Sequence, residues 1–421
     1  MTRFALGGRA AVAAVDGGDL PLGGGLLALV RPALNLLEPG GVLAVLTSER
    51  GVHEDLPAWC RAERHEYVGG DALPDGRGWH LVARGPLGVP RGARESGVGL
   101  ALKDGRVTAA DMLAAVPHPE RADPGTGFAP RGARVEPGGP VYPFTLLERD
   151  RVAPPEVAKL YDQAVASQWN AATDIPWHLV RPLQPELEAA VGQLMTFLAE
   201  NELSALYVPS RFLSRIHPAF VESAMFLATQ LNDEARHIDV FLKRARIGGG
   251  GVGISAATTS HSLKSLLDLE DFTEAAFLLS VLGEGTFIDL LRFIEAHAPD
   301  EATAELVRRA RTDEARHVHF GVAHVRHALA ADPTQYARLE AAVRRRAATL
   351  HGVGGVPAPV QDALTVLAAG GTDPRGLRRG HEAFRELLHE MHVGRVKRLL
   401  TAGFTAEQAE TLSGLHTPNF M

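Results

Sequence analysis

Two pentapeptides in this chain are identical: Asp-Glu-Ala-Arg-His occupies 233–237 and again 313–317. Each contains Glu-x-x-His, Glu234 with His237 and Glu314 with His317. On a helix, residues three apart share a face, so a carboxylate and an imidazole from each copy can reach one cation. Carboxylate oxygen and imidazole nitrogen together suit divalent transition metals such as iron, with manganese an alternative at one position.

Two further glutamates lie where helical hairpins would carry them to the same depth. Pro299 is fifteen residues before Glu314, and Glu284 is fifteen before Pro299. Pro218 is sixteen before Glu234, and Glu202 is sixteen before Pro218. Both prolines are natural helix boundaries. Each arm is then roughly 23 Å long at 1.5 Å per residue. Glu200 competes with Glu202, but its helical stripe (Gln193, Thr196, Phe197, Leu203, Ser204, Tyr207) is half polar. The stripe through Glu202 (Met195, Leu198, Ala199, Ala205, Leu206) is apolar throughout. Glu284 likewise sits among Phe277, Val281, Phe287, Ile288 and Leu291. A carboxylate in the middle of an apolar stripe must be paired or metal-bound, because burying it alone is prohibitive.

The elements that must position these residues are four helices, expected over 185–216, 219–246, 271–297 and 300–331. A Gly-rich break at 248–253 opens a connection of about 24 residues, long enough to cross the bundle or form a lid. An approach segment, helical over 157–169, precedes the bundle. Trp169 and Trp177 are expected to pack against it. Beyond Pro333, amphipathic segments at 334–350, 359–369 and 376–402 are expected to wrap the bundle or form a subunit contact, which would make the chain a homodimer. His217, His261, His319 and His351 are read as caps, loop or core residues. His319 points about 200° away from His317.

The paired Asp-Glu-x-Arg-His pattern resembles the bacterial multicomponent di-iron monooxygenases and the wider ferritin-like oxygenase and oxidase superfamily, over about 150 residues. In such bundles, two helices each supply Glu-x-x-His and two others each supply one Glu. The resemblance implies Glu202, Glu234, His237, Glu284, Glu314 and His317 as metal ligands for two iron ions or Mn/Fe. Glu202 and Glu284 would also be the catalytic carboxylates. It implies Asp233 and Asp313 as acceptors for the ligand imidazoles, and Arg236 and Arg316 as neutralising cations. The expected activity is an O2-dependent oxygenase or oxidase acting on a small organic substrate. The alternative is a ferritin-like metal-binding peroxidase, storage or regulatory protein. A bundle of buried ion pairs without metal is the bland reading, and six coincident positions argue against it. No dinucleotide fingerprint or Fe–S cysteine set is present, so an external electron donor is expected.

Residues 9–85 read as strand, helix, strand, helix and two strands, with a break at Pro39-Gly40-Gly41, hence a small two-layer α/β sandwich. Leu37-Glu38-Pro39-Gly40-Gly41-Val42-Leu43, Asp55-Leu56-Pro57-Ala58-Trp59-Cys60 and His65-Glu66-Tyr67-Val68 resemble the sulfur-carrier (TusA-like) family. That family's persulfide-carrying cysteine falls at Gly23, so the nucleophile is absent here. Cys60 is expected to be a buried core thiol, and the domain to dock a partner or regulate. From about 91 to 143 the chain is rich in Gly, Pro and Arg and reads as a linker with a short helix at 109–115. His118 is expected to be a solvated loop residue.

The fold class expected is therefore multidomain α+β. A sandwich occupies 1–90, a Gly/Pro-rich linker 91–150, a ferritin-like bundle 151–332 and a helical extension 333–421. Composition agrees: 421 residues, 45% hydrophobic, are ample for separate cores. A net charge of −7 points to neither nucleic acid nor a membrane surface. The single cysteine excludes an internal disulfide and fits a reducing cytoplasm, and no apolar run has the length of a signal or a membrane span.

Overall fold

A computed structural model describes residues 4–86, 100, 104–133, 135, 139–352 and 355–416. The chain divides into two compact units, one of residues 1–98 with 132–138 and one of residues 99–131 with 139–421.

In the first unit, β1 (Ala5–Leu6) and β2 (Arg9–Ala10) form a small hairpin. They are followed by β3 (Ala13–Asp16), α1 (Leu26–Asn35), β4 (Val42–Thr47), α2 (Val52–Ala62), β5 (Glu66–Ala72) and β6 (Gly78–Ala83). The sheet order is β3-β4-β6-β5, with β3 parallel to β4 and the other pairs antiparallel. The strand expected to open residues 9–85 is broken into β2 and β3, because the backbone changes partner: Ala11 N–H donates to Phe4 and Val12 N–H to Val42. Both helices cover one face. Leu26, Val30, Leu34, Leu56 and Cys60 pack there on Leu43, Val45 and Val82. On the opposite face Phe4 and Ala11 lie over Val42, Ala44, Trp79 and Leu81, so β4 is covered on both sides and reads as an unbroken apolar run.

The second unit is helical: α3 (Ala109–Ala115), α4 (Val157–Ala166), α5 (Pro185–Leu213), α6 (Val221–Ile247), α7 (Ala257–Leu267) and α8 (Phe272–Ala276). α8 continues through a π-helical stretch, Phe277–Glu284, into α9 (Gly285–Ala296). Next come α10 (Glu301–Ala331), α11 (Gln335–Thr349), α12 (Ala358–Ala369), α13 (Pro374–Thr401) and α14 (Ala406–Leu415). α5, α6, the α8–π–α9 rod and α10 form a four-helix bundle. Its apolar interior is split in two. One half gathers Val208 and Phe212 of α5, Phe226 of α6, Leu279 of the π stretch and Phe320 of α10. The other gathers Leu194, Leu198, Phe241, Leu290 and Leu306. The layer between them holds the four glutamates. Register is locked at one end by Arg244, whose buried guanidinium donates to Glu188 (2.8 Å), Asp300 (3.3 Å) and Thr303 (2.6 Å), tying α5, α6 and the start of α10 together. Asp300 also caps α10 by accepting from the Thr303 N–H at 2.7 Å.

Several details depart from expectation. The connection after α6 contains α7, and its glycine stretch is pinned to α5: Gly253 N–H donates to Thr196 (2.7 Å) and Ile254 N–H to Gln193 (2.8 Å). α14 was not foreseen, although Thr405 and Gln408 form a capping box visible in the sequence. α12 and α13 wrap the bundle through Val360, Leu364, Phe384, Leu387 and Met391. Of the stretch read as a linker, 91–99, 101–103, 134 and 136–138 lie outside the described residues. Much of the remainder packs on the bundle. Arg131 reaches both oxygens of Glu222 on α6, and His118 bonds the same carboxylate at 2.8 Å. The His118 side chain is thus buried against Glu222 and not solvated. Burial alone would raise the Glu222 carboxyl, but Arg131 and His118 hold it down at about 2.

Candidate metal centre

Each bundle rod delivers one glutamate to the layer between the two apolar halves: Glu202 from α5, Glu234 from α6, Glu284 from the end of the π stretch and Glu314 from α10. α6 and α10 add His237 and His317 one turn on, and all six side chains are at most 1% exposed. One donor atom from each of Glu202, Glu234, His237 and Glu314 falls within 4.8 Å of the others. The same is true of Glu234, Glu284, Glu314 and His317. Glu234 and Glu314 belong to both sets, so the arrangement has two positions sharing two carboxylates. His237 Nδ1 lies 3.3 Å from Glu234, 3.3 Å from Glu314 and 3.5 Å from Glu202. His317 Nδ1 lies 3.0 Å from Glu234 and 3.4 Å from Glu314.

Glu200, the rival of Glu202, is half-buried and hydrogen-bonds Ser255 of the crossover instead. The apolar stripe therefore identified which of the two glutamates turns inward.

The outer ring is crossed between the repeats. His237 Nε2 donates to Asp313 at 3.2 Å, and His317 Nε2 donates to Asp233 at 3.2 Å, so each aspartate orients the imidazole of the other pentapeptide. A carboxylate only accepts, so the proton sits on Nε2 and the Nδ1 lone pair is turned to the centre. Arg236 bonds both Asp233 and Asp313, and Arg316 does the same. The four residues form an ion-pair square bridging α6 and α10.

Three features of this ring were not read from the sequence. Trp169, expected only to pack, donates its indole N–H to Asp313 at 2.7 Å and lies under the Arg236 guanidinium at 4.7 Å. Gln168 donates to Asp233 at 3.3 Å. Gln230 donates to Glu284 at 3.1 Å, and the Ser280 hydroxyl also bonds Glu284. Both Gln230 and Ser280 stand four residues before a site glutamate, a helical spacing that could have revealed them. Trp177 packs as expected, donating to the Ala171 carbonyl at 2.9 Å. His217 caps the short turn before α6, and His319 is exposed.

The electrostatics identify what the layer lacks. Eight donor atoms point inward with no hydrogen-bond partner: one oxygen each of Glu202 and Glu284, both oxygens of Glu234 and Glu314, and Nδ1 of both histidines. Buried polar atoms are nearly always satisfied, and these eight converge. Burial, together with the facing Glu314 and Glu234 charges, pushes the Glu202 carboxyl well above the ordinary range. Burial and Glu314 do the same to Glu284. For His237, burial opposes the charged form, but Glu202 and Asp313 overcome it and hold the imidazole well above its usual value. For His317, Glu234 and Glu314 overcome burial in the same way. Without cations the layer must take up protons at the atoms where cations would bind. Two divalent ions would neutralise four carboxylates, so the donor set fits a dinuclear metal centre.

No helix among the described residues is long and apolar enough to cross a membrane. The chain matches no family model and no curated protein. Among solved structures it is similar to variants of an R2-like ligand-binding oxidase. One, with an aerobically reconstituted Mn/Fe cofactor, is 18% identical with a TM-score of 0.45, covering 58% of this chain and 92% of that one. Another, with an aerobically reconstituted Fe/Fe cofactor, is 20% identical with a TM-score of 0.44 and the same coverage. The oxidase with its metal cofactor after photoconversion is 18% identical, with a TM-score of 0.41, over 62% of this chain and 93% of that one. Likeness at this level leaves the chemistry to be read from this chain's own residues.

Proposed function

We propose that this chain is a non-haem dimetal oxidoreductase that uses O2 on a small organic substrate. Fe/Fe or Mn/Fe would be held by Glu202, Glu234, His237, Glu284, Glu314 and His317. The observation that carries this is the convergence of eight unpartnered, fully buried donor atoms on one layer of the bundle. Six protein ligands for two ions leave coordination positions for O2 or substrate. When bound, such a pair of ions supplies the electrons for O2 reduction in two one-electron increments.

The chain's own residues supply the rest. Asp313 and Asp233 fix the tautomer and orientation of the two imidazoles. Glu234 and Glu314 reach both positions and tie them together. Arg236 and Arg316 balance the two aspartates, so the centre itself carries only the ligand charge. Gln230 and Ser280 restrain Glu284, whereas neither is placed on Glu202, so the two terminal carboxylates differ in freedom. The apolar halves on either side keep water out. With one cysteine and no dinucleotide fingerprint in the sequence, reducing equivalents must come from an external donor. Residues 1–90 serve as a docking or regulatory module: Gly23 has no side chain to carry sulfur, and the Cys60 thiol is buried.

Metal analysis after anaerobic reconstitution with Fe(II) tests the proposal. Wild type should hold two ions per chain and consume O2, and Glu202→Ala should empty one position. Glu200→Ala should leave metal count and spectrum unchanged. Zero or one ion in wild type refutes the proposal, and the reverse result for the two variants means that the α5 register is wrong.

A further inference from the structure

The first unit carries a cleft of about 470 Å³ between the β4–α2 loop and the β5–β6 hairpin. Two imidazoles line it: His53, exposed in the first turn of α2, and His80, buried on β6. Their ring centres are 5.7 Å apart. The sheet is built to hold His80 in place. A bulge in β5 between Tyr67 and Gly69 shifts the pairing by one residue, so Tyr67 (opposite Val82) and Gly70 (opposite His80) face the same side. The Tyr67 hydroxyl then meets His80 Nδ1 at 2.9 Å. Gly70 leaves room for that contact, because a Cβ there would fall 2.6 Å from Nδ1 and 3.0 Å from the hydroxyl. With Nδ1 taken, Nε2 is the nitrogen left for the cleft. Two carboxylates share the cleft, Glu49 from the loop and Asp71 from the hairpin. Each uses one oxygen on a backbone N–H, of Gly51 at 3.1 Å and of Ala72 at 2.8 Å.

We propose that this cleft is a separate metal site, holding one divalent transition cation such as Zn2+ between His53 and His80 with Glu49 or Asp71 as third ligand. The ring spacing is the first support. A ring nitrogen about 2.0–2.1 Å from zinc puts the ring centre about 3.2 Å away, and two such rings at a tetrahedral to trigonal angle stand about 5.2–5.6 Å apart. The 5.7 Å between His53 and His80 is close to that spacing. The second support is the partner of Nδ1. Metal-binding imidazoles almost always donate their other N–H to an oxygen, which fixes the ring and turns a lone pair to the metal. The Tyr67 oxygen is placed to accept that hydrogen. The third ligand comes by side-chain rotation of a cleft carboxylate. Two imidazoles and one carboxylate leave a fourth position open to the cleft, the composition of a catalytic zinc site and not of a closed structural one. The inference is independent of the dimetal reading of the bundle.

The test titrates the full chain with Zn2+, counts the bound ions and follows the histidine nitrogen resonances by NMR. Wild type should hold one ion more than His53→Ala, whose exposed side chain can be removed without disturbing the core. The counts should be three against two if the bundle holds its pair, and one against none if it does not, so failure of either reading is separable. His261→Ala, which removes an exposed imidazole of α7, should leave the count unchanged. Tyr67→Phe should weaken the extra ion about 10- to 100-fold. Zn2+ should shift the His80 Nε2 resonance in wild type and leave it in place in His53→Ala. Equal counts in wild type and His53→Ala, an equal loss in His261→Ala, unchanged affinity in Tyr67→Phe, or a His80 Nε2 resonance indifferent to Zn2+ would overturn the proposal.

Discussion

Replacing Asp313 by Asn probes the crossed outer ring most directly. Asp313 accepts from His237 Nε2 (3.2 Å), Trp169 Nε1 (2.7 Å) and Arg236 (3.0 Å) on one oxygen and from Arg316 on the other. Asparagine is nearly isosteric, but it is neutral and one of its two heads is a donor. It cannot accept from Arg316 and from the other three partners together. Asp233 still pairs with both guanidiniums, so the fold should survive. The loss falls on the imidazole that Asp313 orients. Removing an outer-shell partner of a ligand histidine typically weakens metal binding 10- to 100-fold, or ~1.4–2.8 kcal/mol. Because Asp313 serves His237 and not His317, that loss should be confined to the position containing Glu202. Anaerobic Fe(II) titrations in two backgrounds separate the positions. In Glu284→Ala, which leaves the Glu202–His237 position, adding Asp313→Asn should cost the full ~10- to 100-fold. In Glu202→Ala it should cost less than about threefold, since His317 keeps its own acceptor, Asp233. Asp233→Asn should show the opposite pattern. Equal losses in both backgrounds, or weakening of the His317 position by Asp313→Asn, would refute the crossed assignment.

The stabilisation conferred by metal should grow with pH. In the metal-free chain Glu202 and Glu284 lie above the ordinary 4.5, and His237 and His317 above 6.5. The stability they contribute is full below those values and is lost as pH rises through the folded values. Asp233, Glu234 and Asp313 are lowered, and their contribution is already complete above about pH 5. Calorimetry should therefore show the gap in Tm between loaded and metal-free protein widening from about pH 5.5 to about pH 8, and a constant or narrowing gap contradicts this. Arg244→Met should lower unfolding free energy by about 3–5 kcal/mol in denaturant titrations, because Glu188 and Asp300 lose their buried cation. A loss under about 1 kcal/mol would show that water reaches that end of the bundle. The Cys60 thiol, pushed up to about 12 by burial, should resist maleimide at about pH 8, and Cys60→Ser should leave turnover within about threefold. A persulfide on Cys60 after incubation with a sulfur donor would show that the sandwich carries sulfur.

Local patterns reached furthest where periodicity and spacing coincide. The four bundle helices were legible from their apolar stripes and proline boundaries, and the equal arms around Pro218 and Pro299 sufficed to bring Glu202, Glu234, Glu284 and Glu314 to one depth. Glu202 was separable from Glu200 because a helix face is a local property of the sequence. The sandwich strands and helices were legible from short apolar runs between Gly and Pro breaks. What depends on the partner of a side chain was not. Asp233 and His237 share a face of one helix, and nothing local reveals that Asp233 serves His317 instead; only the distance across α6 and α10 decides it. Trp169 looks like any packing aromatic until α10 brings Asp313 to its indole N–H. The Gly- and Pro-rich stretch read as linker carries no hydrophobic period, yet its Arg131 and His118 are held by a glutamate about 100 residues away. The π stretch was equally hidden, since its residues suit an α-helix, and its close approach to α10 at Gly321 exists only in the packed bundle. Donor types and their depth are therefore written in the sequence, whereas the pairing of the outer ring exists only once the helices are packed.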